Sequence, residues 1–234
     1  GSALWQAAGK IIEKGKRIAA HFMEADVEDM DYADGLFTVA GTDRSMSLVD
    51  VARSAFMHAK LPPDLEGGLF ETATFSPEAD TFPNGAHVCE VEIDPETGQV
   101  NLVSYSVVDD VGTVINPMGL KGQIHGGIAQ GLGQALMEQV VYDPDSGQIL
   151  SGSFMDYTMP RADTTCAIQV ESNPVPTKQN PLGAKGAGEA GTVGALPAVM
   201  NAVLDALAPL GVRDLDMPAT SDRVWHAIQQ AKTT

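Results

Sequence analysis

Between 122 and 136 the chain reads GQIHGGIAQGLGQAL, with apolar residues at helical spacing and five glycines between 122 and 133. Five glycines in exposed helix would cost on the order of 4–5 kcal/mol relative to alanines. Helix propensity therefore did not select this segment. Something comes close to its backbone, either a tightly packed neighbouring element or a ligand. A second run, GAKGAGEAG at 183–191, sets one cation, Lys185, and one carboxylate, Glu189, among glycines that let a loop expose its N–H groups.

Regular elements are predicted around these two segments. Ser2 is placed as the cap of a first helix whose apolar face includes Leu4, Ile11, Ile12, Ile18 and Phe22. A short strand is expected over 35–40 after the Asp34-Gly35 turn, and Ser47 with Asp50 three residues on predicts a capped helix over 48–59. Pro62-Pro63 opens a turn-rich stretch running to Asn84. Alternation over 86–93, a turn at 94–98 and extended character over 99–108 predict a hairpin, with Cys89 as a sheet-face residue. Pro117 is read as the start of the glycine-rich helix, and 142–149 as a turn into a strand. Residues 153–161 lead to another extended stretch near 166–171, and helices follow over 193–208, from Thr192, and in PATSDRVWHAIQQAK. Helices and strands interleave without a steady βαβ period, which predicts an α+β fold with mixed sheets and packed helices. A soft boundary near 60–85 would divide the chain into two subdomains.

Charge and cysteine usage exclude several classes. The 234 residues suffice for a buried core without staples. A net charge of −17 disfavours binding to nucleic acid by phosphate neutralisation and attraction to an anionic membrane. No run of 18 apolar residues predicts a membrane span. Cys89 and Cys166 lie far apart with no metal-ligand spacing, so both are expected to be free, in a reducing, cytoplasmic setting. The chain opens at Gly1-Ser2 without a Met and enters a helical pattern at once, which is read as a piece of something larger.

The local chemistry leaves alternatives open. Gly186, Gly188 and Gly191 fit a bare GxGxxG, but no apolar strand precedes them and GxxxxGK[ST] is absent. Glu189 is either a general base tuned by a bound ligand or a helix-start acid that meets exposed N–H groups. Gln123, His125, Gln130 and Gln134 either offer amide and imidazole donors to a pterin, base or phosphate, or are parts of a tightly packed helix. Trp5, Phe154 and Trp225 are either ligand-facing aromatics or core residues.

Longer motifs carry a much sharper signal: FPNGAHVCEVEIDPETG at 82–98, VDDVGTVINP at 108–117, GQIHGGIAQGLGQAL at 122–136, MDYTMPR at 155–161, NPLGAKGAGEAGTVGALPAV at 180–199 and DMPATSDRVW at 216–225. In this order they strongly resemble the carboxyl-terminal part of the molybdenum-binding large subunit of the xanthine dehydrogenase/aldehyde oxidase family, especially the carbon monoxide dehydrogenase-like members. The resemblance implies a molybdopterin-binding region over 1–234, an oxidoreductase activity and a small-molecule substrate. Glu189 matches the family's base beside molybdenum, and Gln123 matches a cofactor-contacting glutamine. Gly122, His125, Gly126, Gly127 and Gln130 fall in the adjoining pterin-dinucleotide segment, and Lys185, Gly186, Ala187 and Gly188 in the segment that wraps the cofactor. No protein ligand to the metal is implied. The cytosine dinucleotide form is expected, as are iron–sulfur clusters and FAD on partner chains. The amino-terminal part of the large subunit, with its cofactor and substrate loops, and the plant-type C-x4-C-x2-C iron–sulfur pattern lie outside this sequence. A contrasting expectation is a noncatalytic assembly domain that packs against the rest of the large subunit and does not hold cofactor alone.

Overall fold

The structure is a computed structural model, and it describes residues 1–233. The chain folds as two units: Gly1–Glu78 with Asn180–Leu182, and Ala79–Gln179 with the chain from Gly183 onward.

In the first unit, helix α1 (Ser2–Phe22) precedes an antiparallel sheet of β1 (Met30–Ala33), β2 (Leu36–Val39) and β3 (Ser45–Ser47), and then helix α2 (Leu48–Ser54). Asp34 and Gly35 take φ of 49° and 78°, the left-handed pair that links β1 and β2 in two residues. The core gathers Ile18, Ala19, Phe37 and Val51, all fully buried. A Cβ on Gly15 of α1 would lie 2.5 Å from the Phe37 ring, so this helix turn can rest on β2 only as glycine. The single strand expected at 35–40 has two partners that were not foreseen, because MDYA and SMS are too short to show a period. Helix α2 starts as predicted, with Ser47 accepting from the Asp50 N–H at 3.1 Å. It stops at Ser54 rather than 59, where the Ala55 carbonyl accepts the Gly68 N–H at 2.7 Å and Leu61, before Pro62, turns extended. Ser2 lies inside α1, whose cap is Gly1.

In the second unit, β4 (Asn84–Ile93) and β5 (Val100–Asp110) form the expected hairpin, with an irregularity between Glu90 and Val91. Strand β6 (Ile168–Ser172) adds to β5 in parallel, Tyr105 opposite Ile168. Helix α3 (Pro117–Leu136) packs on α4 (Ala190–Leu207), α4 lies on β4, and α5 (Ser221–Lys232) closes the chain. Asn116 caps α3 through the Gly119 N–H, leaving Pro117 in the first turn, where its missing N–H costs nothing. The core takes Tyr105 and Val107 from β5, Ile124, Ile128 and Leu132 from α3, and Ala195, Val199 and Val203 from α4. Residues 142–149 form a turn closed by one bridge, Tyr142 to Ile149, rather than a turn into a strand, with the Asp143 carboxylate and the left-handed Gly147 shaping it. The segment from Ala190 to Leu210 is long and apolar enough to cross a bilayer by composition, and its 195/199/203/207 stripe lies in this core. Cys89 and Cys166 are both free and half-buried.

Candidate functional site

Strand β5 ends on two carboxylates, and the second one braces the glycine loop. Asp110 Oδ1 accepts the N–H groups of Gly112 at 2.8 Å and Val175 at 2.9 Å, while Oδ2 takes the Lys185 ammonium. The Asp110 and Lys185 side chains are only 14% and 11% exposed. This pairing, with Lys185 first and the Val175 amide next, holds the Asp110 carboxyl down to about 2. Backbone bonds tie the same loop down, from Lys185 N–H to the Val111 carbonyl at 2.8 Å and from Thr113 N–H to Gly183 at 2.9 Å. Lys185 is therefore engaged by Asp110, and its ammonium is not a free cation facing a phosphate.

The braced loop delivers Glu189 to the first turn of α4. Its backbone accepts the Val193 N–H at 3.0 Å, but its side chain makes no capping bond and is exposed. Glu189 thus stands at the helix start, as that reading expected, without a side-chain bond to the exposed N–H groups. It faces a cavity of about 280 Å³ that is also lined by Phe82, Asn84, His87, Asp109 and Val193.

Helix α3 meets the loop at a second point. Gln123 Nε2 donates to the Gly188 carbonyl at 3.2 Å. Gln123, Lys185 and Ala187 share a hollow of about 240 Å³ with Asn116, Gly119 and Ala184, separate from the residues that line the Glu189 cavity. The glycines divide into two kinds. Gly127 and Gly191 stand where α3 and α4 touch backbone to backbone; a Cβ on Gly191 would lie 2.5 Å from the Ile124 carbonyl oxygen. Gly122, Gly126, Gly186 and Gly188 are exposed, and nothing lies within 4 Å of where their Cβ would be. The chain's own packing does not require glycine there. The open space there leaves room against the loop and the first turns of α3, and the amide side chain of Gln123 stands at the same place as a hydrogen-bonding group.

Besides Gly127, two predicted site residues stand apart from this group. His125 is half-buried with Nε2 3.3 Å from the Ile168 carbonyl of β6, and Gln130 meets the Thr192 hydroxyl at 3.3 Å on the α3–α4 seam. Neither lines the hollow beside Gln123. Trp5, Phe154 and Trp225 are 57%, 82% and 37% exposed, so the core alternative for them does not hold.

His87, Asp109 and Asp110 were not singled out from the sequence, although a signal was present. His87 has the strand parity of Cys89, Val91 and Ile93, and Asp109 that of Tyr105 and Val107, so each is a polar residue on the side that otherwise faces the core.

Residues 1–166 match the molybdopterin cofactor-binding domain family. The chain is 38% identical over 98% of its length to the carbon monoxide dehydrogenase large chain of Hydrogenophaga pseudoflava, and 37% identical over 97% to the nicotine 6-hydroxylase large subunit of Paenarthrobacter nicotinovorans. It spans about 28% of the length of each of these relatives. Among solved structures, quinoline 2-oxidoreductase from Pseudomonas putida 86 matches 96% of the chain at 40% identity with a TM-score of 0.88, the match covering 29% of that chain. A Cu,Mo carbon monoxide dehydrogenase matches 97% at 35% identity with a TM-score of 0.89, covering 28% of its chain. The α+β arrangement, helices packed with one antiparallel and one mixed sheet, is thus shared with the matched parts of these large subunits. The chain belongs to the molybdopterin cofactor-binding domain family, alongside the large subunits of carbon monoxide dehydrogenase and the xanthine dehydrogenases.

Proposed function

We propose that this chain is the cofactor-binding, base-bearing portion of a molybdenum hydroxylase that oxidises an aldehyde, an N-heteroaromatic or carbon monoxide with water as the oxygen source. The observation that carries this reading is Glu189, presented uncapped by a braced loop whose open glycines meet Gln123. The ligand that fits is molybdenum–molybdopterin, in its cytosine dinucleotide form. When bound, that group supplies two-electron redox chemistry at the metal.

The chain's own residues do the rest. The N–H groups along Gly186, Ala187 and Gly188 and the backbone at Gly122 and Gly126 would hold the cofactor, with Gln123 kept beside them by its bond to the Gly188 carbonyl. Lys185 holds the loop on Asp110. His125, Gly127 and Gln130 fix α3 against β6 and α4 from behind. Glu189 accepts the proton released as water oxygen is transferred to the substrate carbon. Iron–sulfur and flavin groups on partner chains would carry the electrons away, and the amino-terminal part of the large subunit would complete the site. A cytoplasmic location suits the free cysteines.

The test uses the complete enzyme. Glu189→Gln should keep its molybdenum and pterin content and lose turnover by ~10²–10⁴-fold; turnover at the wild-type rate would overturn the base role. The assembly reading draws support from Met118, Phe154 and Met155, which are 83%, 82% and 93% exposed and suit burial against another part of the large subunit. Wild-type enzyme purified without molybdenum and pterin would favour it.

A further inference from the structure

The mixed sheet of the second unit opens at one end. Strand β6 pairs with β5 only from Tyr105, opposite Ile168, to Asp109. Over Val100–Leu102, β5 has β4 on one side and no strand on the other among the described residues. Continued backward, the parallel register would set Leu102 against Thr165. Instead the chain there turns through a short 3-10 segment, Ala162–Thr164, and leaves the sheet. A cleft of about 520 Å³ occupies the gap, with Val100 and Leu102 on one wall and Asp163 and Thr165 on the other.

The β5 wall is a strand edge with its backbone turned outward. Gln99 presents its carbonyl to β4, where the Asp94 N–H donates to it at 3.0 Å. Backbone groups of successive strand residues point to alternate sides, so the N–H and C=O of Asn101 face Glu92 on β4, and those of Val100 and Leu102 face the cleft. No backbone bond among the described residues takes up these outward groups. Edges that stay free in solution are commonly blunted by Lys, Pro or an inward charge, and the run from Gln99 to Ser104 has none of these. The irregularity of the hairpin falls at Val103, past the cleft.

The cleft is held open by its surroundings. Its floor is the end of α3, Leu136 and Met137, and its far end is the start of α5. The Ala219 N–H donates to the Ala135 carbonyl at 2.7 Å, which ties the chain before α5 to α3. A Cβ on Gly98 would lie 2.1 Å from the Ser221 carbonyl oxygen, so the β4–β5 turn rests on the same helix start. Asp163 is the one charged lining group, which disfavours an acidic occupant.

We propose that this cleft takes one extended peptide segment as an added strand between β5 and residues 163–165, and that the segment comes from the amino-terminal part of the same large subunit. The chain spans about 28% of the length of its relatives, so most of such a polypeptide lies beyond it. An edge filled by its own polypeptide is always closed, whereas one kept for a separable subunit stands open to other strands whenever that subunit is absent. Val100 and Leu102 bond alternate residues of the segment, and its neutral or basic side chains meet Asp163. The inference rests on the reading of this chain as part of a longer large subunit and is independent of Glu189.

The test uses the complete, cofactor-loaded enzyme. Hydrogen exchange at single-residue resolution should show the Val100 and Leu102 N–H groups slowed at least ~100-fold relative to an unstructured chain, as Asn101 is through β4. Ser221→p-azidophenylalanine, at the rim of the cleft, should crosslink on illumination to residues of the same large subunit outside this portion, in a product with the mass of one large subunit. Free exchange at Val100 and Leu102 would overturn the proposal. So would no crosslink, or crosslinks confined to this portion, to an iron–sulfur or flavin chain, or to a second copy. Denaturing mass spectrometry of the large subunit reads the premise separately. A mass no larger than that of these 234 residues would remove the longer polypeptide and the proposal with it, whereas a several-fold larger mass with free exchange at the edge would remove the added strand alone.

Discussion

Asp109 and Asp110 are consecutive residues of β5 that serve different neighbourhoods: Asp109 stands beside His87 in the Glu189 cavity, and Asp110 grips Lys185 in the loop that carries Glu189. Strand alternation sends neighbouring side chains to opposite faces, so one strand end supplies both a polar group of the cavity and the brace of the loop that carries Glu189.

The brace has a measurable acid dependence. The folded Asp110 carboxyl lies at about 2, below its ordinary 3.8, so its stabilisation is complete above about pH 4 and is lost as pH falls toward 2. In urea unfolding, Asp110→Asn should be destabilised by about 3 kcal/mol at pH 7, the order expected for breaking a mostly buried pair. The gap from wild type should close as pH approaches 2. A gap that stays constant over this range would show that the ion pair is not its origin.

The two kinds of glycine should separate by readout. Gly191→Ala drives a methyl to 2.5 Å from a carbonyl oxygen and should lower stability by ~1–3 kcal/mol in thermal unfolding. Gly188→Ala meets open space, so the fold should tolerate it within about 0.5 kcal/mol. The molybdenum and pterin content of the assembled enzyme should nonetheless fall in the Gly188 variant. Equal stability losses at both positions would refute the division.

Cys89 should be chemically quiet. Burial, with Cys166 next to it, pushes its thiol up to about 12, and burial also raises Cys166. At pH 8 iodoacetamide should label Cys89 in the folded chain far more slowly than in the chain unfolded in urea. Comparable rates in the two states would contradict the burial.

In the first unit, Ser47→Ala removes the hydroxyl that accepts the Asp50 N–H at the start of α2. A loss of about 1 kcal/mol in denaturant unfolding is expected, the usual size for a helix cap. No change in unfolding would mean that solvent replaces the cap without cost.

Much of both units was legible because the signals are local. The 86–108 hairpin, the Pro117 helix start and the Ser47 cap each depend on residues within a few positions of one another, and each stands within a residue or two of where pattern placed it. The parallel pairing of β6 with β5 joins residues more than sixty apart, which no periodicity records. The site divided along the same line. Glu189 and Gln123 could be found by motif, but the engagement of Lys185 by Asp110 crosses 75 positions and left the lysine looking like a free cation. His87 and Asp109 were visible only as polar intruders on an apolar parity, a signal that gains meaning once a cavity is seen beside them.

The contact of Gly127 with Gly191 bears on how such a site can diversify. Where two helices meet through side chains, repacking can slide one along the other; here the peptide groups themselves touch, and the interval between Gln123 and Glu189 follows from backbone dimensions. Substitutions at Phe82, Asn84 or Val193 can therefore redraw the wall of the cavity while the edge that carries Glu189 keeps its address. A different occupant would be admitted by changing the upholstery of this chamber and leaving its frame alone.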